Sequence, residues 1–325
     1  MDSKIIFSRQ VTIEDWKQDK LSSQIVLILG VGGIGSVAVT NLLRLGVKKI
    51  FIVDYDHVEL HNLNRQTLFS NKDVNQQKVK AAFENASFHN VGKAEIQMFD
   101  LDAVKNWDKI VELASQSTAI FNCIDYGDYW DAAVQSLSLY YKIPMVIAGS
   151  FAQSFMAEIY LGTPCYACMT DGLKEEYLNQ ITQEKITQLK DISFLPSNNK
   201  PQGQSHQVLC STAGNFATQL LLNYLNEQAD SQTSKKVLFY LTTFEVVIFP
   251  VFSKNNCHLC KYQEPAKEQQ IQATEPAKEQ QIQATETEKE QQVQVPELEK
   301  EQQIQATETE KEQQEQATES IQKKN

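Results

Sequence analysis

The apolar residues of this chain form short continuous runs, separated by stretches in which apolar positions recur with helical spacing. Runs of strand length begin at Gln24, Lys49 and Thr118, and further strand-like runs cover 144–149, 155–161, 237–243 and 245–252. Amphipathic helices are predicted between them: one that ends at Gly46, one from Lys78 onward and one at 211–225. Strands that alternate with helices predict one large α/β core.

The chain after Glu264 shows neither pattern. An 11-residue unit, Glu-Pro-Ala-Lys-Glu-Gln-Gln-Ile-Gln-Ala-Thr, repeats from residues 264, 275, 286, 297 and 308. An 11-residue period can wind a helical stripe, but the units offer about one aliphatic residue each and three prolines interrupt them. Such a segment cannot bury enough apolar surface to fold alone. We therefore predict a body at 1–261 and a low-complexity, disordered tail at 262–325, with an assembling coiled segment as the alternative.

Most of the negative charge belongs to this tail. Residues 264–325 contain 15 acids and 7 lysines, which give −8 of the chain's formal charge of −11. The body is nearly neutral and has no basic cluster, which argues against nucleic acid as a partner. No apolar run is long enough for a membrane span, and the first residues lack the features of a signal peptide. We expect a cytoplasmic protein that does not insert into membranes.

A glycine-rich turn connects the first predicted strand to the first helix. Its glycines are Gly30, Gly32, Gly33 and Gly35. Glycine lets the backbone turn sharply and approach a polyphosphate, and the positive end of the following helix faces the anion. The second strand ends in Asp54, which is placed to accept a ribose hydroxyl. Taken alone, this fingerprint fits an NAD-dependent oxidoreductase as well as other nucleotide-binding enzymes.

Four polar residues beyond Asp54 change this interpretation. Asn62, Arg65 and Gln66 lie in a turn-rich connection after the second strand, and Lys78 opens a helix. An arginine fork and a lysine that converge on a triphosphate would neutralise the charge that grows as a phosphorus is attacked. A surface salt bridge is the simpler explanation for each basic residue alone, but their joint spacing argues against it. A nicotinamide-dependent enzyme has no use for them.

The glycine pattern, the segment Asp-x-Asp-x-Val-Glu-x-x-Asn-x-x-Arg-Gln and the lysine that leads a helix together resemble the ubiquitin-activating superfamily. This superfamily includes the ThiF and MoeB adenylating enzymes, the activating enzyme of the modifier UFM and the MccB peptide adenylyltransferases. The resemblance extends from Ser8 to Cys260. It implies a doubly wound, mostly parallel, Rossmann-like sheet. It also implies a homodimer in which Arg9 reaches into the partner subunit's ATP site. It also implies that Asp54 holds the ribose and that the phosphates are held by Asn62, Arg65, Gln66 and Lys78.

The third apolar run ends in Asp125. In the family the matching aspartate holds the magnesium that bridges ATP and the substrate carboxylate, so the resemblance implies a magnesium ligand here. One carboxylate acting together with phosphates and water is consistent with magnesium chemistry. The family continues with asparagine and, four positions later, arginine, whereas this chain has Tyr126 and Trp130. A capping or salt-bridged aspartate is the alternative.

Four of the six cysteines form two Cys-x-x-Cys pairs, Cys165 with Cys168 and Cys257 with Cys260. Two such pairs in a cytoplasmic chain predict tetrahedral zinc held by four thiolates. Disulfides or a redox pair are the alternative, although cytosolic disulfides are rare. The family has a zinc knot at these two places, and there it is structural rather than catalytic.

The stretch between the cysteine pairs is polar and rich in lysine and glutamine from 172 to 204. We predict a helix followed by a mobile crossover above the active site, over about residues 172–210. Cys210 comes just before the helix predicted at 211–225 and is a candidate nucleophile for the activated carboxylate. A small buried residue at the start of a helix is an equally good interpretation of Cys210.

The resemblance implies ATP- and magnesium-dependent adenylation of a C-terminal carboxylate. The substrate would be a ubiquitin-like modifier, a sulfur carrier protein or a small peptide with a flexible tail that passes under the crossover. Two other classes remain open, an NAD-dependent oxidoreductase and a non-catalytic ATP-binding adaptor. Tyr126 and Trp130 are the features that favour an adaptor.

Overall fold

The computed structural model describes residues 3–197, 204–228, 231–250 and 252–261. Within these residues one 8-stranded sheet has the order β3-β2-β1-β4-β5-β6-β7-β8. The strands are β1 (Ile25–Leu29), β2 (Lys49–Asp54), β3 (Glu95–Asp100), β4 (Ala119–Asn122), β5 (Met145–Phe151), β6 (Ser154–Tyr160), β7 (Lys235–Tyr240) and β8 (Val246–Ile248).

Helices of very different lengths connect these strands. They are α1 (Ser3–Ile6), α2 (Gln18–Ser22), α3 (Gly33–Leu45), α4 (Lys78–Ala86), α5 (Trp107–Ser115), α6 (Asp128–Tyr141), α7 (Tyr166–Met169), α8 (Glu175–Leu178), α9 (Gln183–Ile186) and α10 (Gln207–Leu225). Among the described residues, no helix is long and apolar enough to cross a bilayer. The tail predicted at 262–325 lies outside the described residues, and its boundary stays a prediction.

The sheet is parallel from β3 to β5 and antiparallel from β5 to β8. Leu29 pairs with Val53 on one side and with Asn122 on the other, so the carboxyl ends of β1, β2 and β4 lie side by side. The strand order reverses between β1 and β4, which is where open α/β sheets bind ligands. The predicted doubly wound, mostly parallel sheet is confirmed.

Two apolar cores cover the two faces of the sheet. Val26 and Ile28 of β1 face a core with α3, α4 and α10, whereas Leu27 and Leu29 face a core with α5, α6 and the short helices. All four side chains are completely buried. A central strand covered on both faces explains why its sequence is a continuous apolar run rather than an alternating one.

The first part of the crossover forms the two short helices α8 and α9 rather than one longer helix. The chain then packs against α5 and α6 as far as residue 197. Residues 198–203 of the predicted crossover lie outside the described residues, and its mobility stays a prediction. Four aliphatic side chains hold it there with at most 3% exposure: Ile181, Ile186, Ile192 and Leu195. The indole N–H of Trp107 donates to the Ile186 carbonyl at 2.9 Å. These aliphatic residues do not follow a helical period, so the polar composition around them concealed their packing.

Helices α3 and α10 are in direct contact along their length. Gly214 permits this contact, because a Cβ there would lie 2.8 Å from the Cβ of Val37 and 3.2 Å from the Ile34 carbonyl oxygen. Further along the two helices, the side chain of Asn41 in α3 donates to that of Asn215 in α10. The contact holds the first turn of α10 beside the first turn of α3.

We predict that Gly214→Ala destabilises the full chain by about 1–3 kcal/mol, because overpacking a close contact outweighs the helix propensity gained. Urea unfolding measures the free energy difference. In a Val37→Gly background the same substitution should cost markedly less, since the Cβ that it meets is gone. Equal costs in the two backgrounds would contradict the proposed contact.

Candidate active site

The glycine-rich turn lies at the carboxyl end of β1. Gly30 has φ of +86°, and its N–H donates to the Val53 carbonyl at 2.8 Å. A Cβ at Gly30 would lie 2.9 Å from the Cys123 carbonyl oxygen, and one at Gly35 would overlap the carbonyl oxygen of Gly30. Only glycine fits at these two positions. The turn delivers the chain to the N-terminus of α3, where unpaired N–H groups and the helix dipole favour an anion.

Asp54 fixes this turn from the end of β2. Its Oδ2 accepts from the Val31 N–H at 2.8 Å and its Oδ1 from the Asp56 N–H at 2.9 Å. Burial raises the pKa of the Asp54 carboxyl, whereas the charge of Lys78 and the two backbone donors lower it. Two backbone donors leave about half of the lone pairs of a carboxylate free. Asp54 is therefore able to accept a further hydroxyl beside the turn.

Lys78 brings a cation to the same place. Its side chain is buried, and its Nζ donates to Asp56 Oδ2 at 2.7 Å. The Lys78 N–H also donates to the Asp56 carbonyl at 2.8 Å, which fixes the start of α4. One ion pair uses one of the three hydrogens of the ammonium group. The others remain able to donate to a bound anion.

The side-chain oxygen of Asn62 has a hydrogen-bond donor, whereas that of Gln66 has none among the described residues. Asn62 Oδ1 accepts from the Glu59 N–H at 3.0 Å and so closes a turn of 3-10 helix at Leu60–Asn62. Gln66 is 4% exposed, yet its Oε1 has no hydrogen-bond partner among the described residues. Its Nε2 lies 3.7 Å from the place of a Cβ on Gly32. A buried amide without a full set of partners, next to a glycine cradle, fits a site that receives a polar ligand.

Arg65 is only partly where the sequence predicts it. Its carbonyl oxygen lies 3.4 Å from the place of a Cβ on Gly33, so the backbone borders the glycine-rich turn. Its guanidinium, however, donates to the His61 carbonyl and to Asn64 Oδ1, each at 2.9 Å. These two bonds use the Nη1 nitrogen alone and leave the Nε and Nη2 donors for another partner.

Asp125 lies beyond the end of β4 in a loop that borders the turn. Cys123, two residues earlier, donates its N–H to the Leu29 carbonyl at 2.8 Å and places its own carbonyl beside Gly30. The Asp125 carboxylate is exposed and has no ion-pair partner within the part of the chain that the structure describes. The magnesium role of Asp125 stays a prediction.

Arg9 lies at the opposite end of α3 from the glycine-rich turn. Phe7 packs against Gly46, just beyond the last turn of α3, and Gln10 donates to the Leu45 carbonyl at 3.1 Å. A helix of 13 residues is about 20 Å long. Arg9 is exposed and does not belong to the site of its own chain.

Cys210 lies inside α10, because the helix begins at Gln207 rather than at 211. The thiol is 3% exposed. Its Sγ lies 2.6 Å from the place of a Cβ on Gly33 and 3.0 Å from the Ser205 Oγ. The sulfur thus borders the glycine-rich turn, and it does so as part of the packed contact between α3 and α10.

The four thiols of the two Cys-x-x-Cys pairs lie together in one cluster. The Sγ atoms of Cys165 and Cys257, and those of Cys168 and Cys260, are each 3.6 Å apart, and all four lie within 4.8 Å of one another. A disulfide would require about 2 Å, whereas sulfurs at the corners of a tetrahedron around zinc are about 3.8 Å apart. The thiol set therefore fits a zinc ion, and none of these cysteines is in a disulfide.

The second cysteine pair is bonded to the start of the crossover. Gln183 Nε2 donates to the Leu259 carbonyl at 2.7 Å, and His258 Nδ1 lies 2.8 Å from Asn179 Oδ1. The cysteine cluster therefore holds the crossover as well as the end of the body.

Trp130 explains one departure from the family pattern. It is completely buried, and its indole N–H donates to Asn122 Oδ1 at 2.8 Å. Tyr126 packs against it with ring centroids 6.4 Å apart. Where the family has a cation, this chain has an aromatic group that belongs to a buried hydrogen-bond network. No motif or periodic spacing marks this hydrogen bond, so the sequence alone does not predict it.

Comparison with known proteins gives the class of the protein. The model of the ThiF family matches residues 7–272, and the chain belongs to this family. The ubiquitin-like modifier-activating enzyme 5 of Drosophila virilis is 34% identical over 116 residues, which are 33% of this chain and 29% of that protein. The molybdopterin-synthase adenylyltransferase of Escherichia coli K12 is 27% identical over 174 residues, 50% of this chain and 67% of that protein. The chain thus spans less than a third of the modifier-activating enzymes that it matches.

Solved structures share the fold. Escherichia coli MccB in complex with MccA-N7isoASN has a TM-score of 0.60 at 19% identity, over 75% of this chain and 69% of that chain. MccB with ATP has a TM-score of 0.59 at 18% identity, over 75% and 68% of the two chains.

We predict about one zinc ion per chain by elemental analysis. Cys257→Ser should lower both the zinc content and the thermal stability, because it removes one of four ligands and loosens the held crossover. Cys123→Ser is the matched control, since this thiol lies beyond β4 and outside the cluster. A folded body that contains no metal would contradict the assignment.

Proposed function

We propose that this chain is an ATP-dependent adenylating enzyme that activates the C-terminal carboxylate of a small carrier protein, a ubiquitin-like modifier or a peptide. The observation that carries the proposal is the convergence of the glycine-rich turn, Asp54 and Lys78 at the switch point of a ThiF-family sheet. The names of the relatives support it, since they include an adenylyltransferase and a modifier-activating enzyme. MccB, which shares the fold, has been solved with ATP and with MccA.

The reaction requires positioning and charge neutralisation. A substrate carboxylate oxygen attacks the α-phosphorus of ATP, an O–P bond forms, the bond to the β-phosphate oxygen breaks, and acyl-AMP and pyrophosphate are the products. No general base is needed, because a carboxylate is already ionised at neutral pH. The ammonium of Lys78 and the free donors of Arg65 would neutralise the charge on the phosphates.

Asp125 supplies the site with an exposed oxygen ligand of the kind that magnesium prefers. Bound magnesium would add charge neutralisation of the phosphates. The residues of the chain fit this role, because the carboxylate is unpaired among the described residues and its loop borders the glycine-rich turn.

We predict ATP–pyrophosphate exchange in the presence of a suitable carrier or tail peptide, screened as a panel. Asp125→Ala and Lys78→Ala should each lower the exchange rate by about 10²–10³-fold, the usual cost of one charge-stabilising group. Asp108→Ala is the control, since Asp108 is an exposed residue of α5 whose carboxylate accepts only from the Lys109 N–H among the described residues. ATP binding without exchange for any carrier would favour a non-catalytic adaptor, and a nicotinamide-dependent absorbance change would favour an oxidoreductase.

We also propose a homodimer in which Arg9 acts in the partner subunit's site, because Arg9 lies about one helix length from the turn of its own chain. The test is complementation between Arg9→Ala and Asp125→Ala chains, each inactive alone. An equal mixture, unfolded and refolded together, should recover about a quarter of the wild-type exchange rate, because half of the dimers contain one intact site. No recovery in a mixture that forms hybrid dimers would place the action of Arg9 within its own chain.

A further inference from the structure

A continuous chain of hydrogen bonds runs behind the Asp125 loop. The Trp130 indole donates to Asn122 Oδ1 at 2.8 Å, and Asn122 Nδ2 donates to Asp131 Oδ1 at 2.6 Å. The Tyr166 hydroxyl lies 3.2 Å from Asp131 Oδ2 and 3.1 Å from Asp128 Oδ1. This series of hydrogen bonds thus begins at the fully buried indole of Trp130 and ends at the exposed carboxylate of Asp128.

Counting donors and acceptors along this chain of hydrogen bonds shows which groups must carry a proton. An indole is only a donor, so it fixes the Asn122 amide with its oxygen toward Trp130 and its NH₂ toward Asp131. The Tyr166 hydroxyl carries one hydrogen but faces two carboxylate oxygens. If both carboxylates are ionised, one of these contacts is between lone pairs. A proton on Asp131 Oδ2 removes this conflict, because Asp131 then donates to Tyr166 and Tyr166 donates to Asp128.

The surrounding charges favour this protonated form. Glu158, 2% exposed, faces Asp131 from β6, and among the described residues its partners are the Tyr160 hydroxyl and Lys236 Nζ. Asp131 is partly buried. This burial, then repulsion by Glu158, raises the pKa of Asp131 to about 8 against the hydrogen bonds from Tyr166 and Asn122.

Several charged groups of the other elements packed on α6 are paired with one another. Within the described residues, Glu175 of α8 pairs with His258, Glu184 of α9 with Lys261, and Lys109 of α5 with Glu112. The groups that bear on Asp131 are therefore Asp128, Glu158, Tyr160, Tyr166 and Lys236.

The chain of hydrogen bonds joins two parts of the molecule that the proposed reaction needs in fixed positions. Asn122 ends β4 and is followed directly by the loop that carries Asp125. Tyr166 begins α7, between the two thiols of the first cysteine pair. In this series of hydrogen bonds, Asp131 is bonded to both Asn122 and Tyr166.

We propose that Asp131 is a positioning residue that carries a proton at neutral pH and ties the Asp125 loop to the first cysteine pair, and that loss of this proton in mildly alkaline solution breaks the tie. The proton passes to solvent, and Tyr166 is left between two anions. The effect on the active site rests on the proposed function, whereas the ionisation itself does not.

The direct test uses the full chain labelled with ¹⁵N-tryptophan, which has three indole N–H signals. The Trp130 signal, assigned with Trp130→Phe, should shift with a midpoint near pH 8 in the wild type. Asp131→Asn should abolish this titration, because an amide donates permanently where the protonated acid does. Asp128→Asn should lower the midpoint, since Tyr166 is then free to donate to an ionised Asp131. Asp108→Asn should leave it unchanged.

The pH dependence of folding gives a second readout. A carboxyl with a raised folded pKa stabilises the fold fully below its ordinary value of 3.8, and this stabilisation is lost as the pH rises to about 8. The Tm of Asp131→Asn should therefore rise relative to that of the wild type over this interval and level off above it. A wild-type Trp130 signal that does not titrate between pH 6.5 and 9.5, or an unchanged titration in Asp131→Asn, would overturn the proposal.

Pyrophosphate exchange separates this proposal from the proposed function. If the protonated form alone is active, the wild-type exchange rate should fall about tenfold from pH 7 to pH 9 relative to Asp131→Asn. A titrating Trp130 signal with no exchange for any carrier would refute the adenylating function and leave the role of Asp131 in the network intact. Exchange with the same pH profile in both proteins would refute the positioning role alone.

Discussion

The close approach of the first strand to the first helix is the constraint on which the candidate site depends. The carbonyl of Gly30 lies where a side chain on Gly35 would be, so the two backbones meet with no space for a Cβ. Asp54 keeps this arrangement in place by accepting the Val31 N–H at 2.8 Å. The helix N-terminus, Lys78 and the Asp125 loop surround a turn whose shape is set by the backbone. The glycine backbone therefore sets the shape of the site. Asp54 is held by hydrogen bonds to the turn, whereas the guanidinium of Arg65 bonds to its own segment of the chain.

Local spacing predicts the parts of this protein that depend on local backbone geometry. The glycine turn, Asp54 at a strand end and the paired cysteines could all be derived from neighbouring residues. The guanidinium of Arg65 could not, because its orientation depends on competition between His61 and a ligand. Strand β3 was not predicted either. It lies at the sheet edge with partly exposed side chains, and its apolar positions alternate too weakly to stand out.

The cysteine cluster, the crossover and the Asp131 network depend on contacts between residues that are far apart in the sequence. The cysteine pairs are separated by nearly ninety residues of sequence, yet the thiols are in contact. The crossover that starts between them is bonded to the second pair through Gln183 and His258, and its aliphatic residues pack on α5 and α6. The Asp131 network is bonded to the first pair through Tyr166. The cysteine cluster therefore connects the crossover with the hydrogen-bond network behind the Asp125 loop.

The charges of the described side chains around the glycine-rich turn are mostly negative. Asp54, Asp56 and Asp125 are carboxylates at or near the turn, and Lys78 is already paired with Asp56. Arg65 donates to its own turn. The triphosphate of the proposed function would add several negative charges, so positive charge beyond Lys78 and Arg65 would favour its binding. The proposed metal ion on Asp125 and the proposed arginine of a second subunit would each supply such charge, and this is why the two proposals support each other.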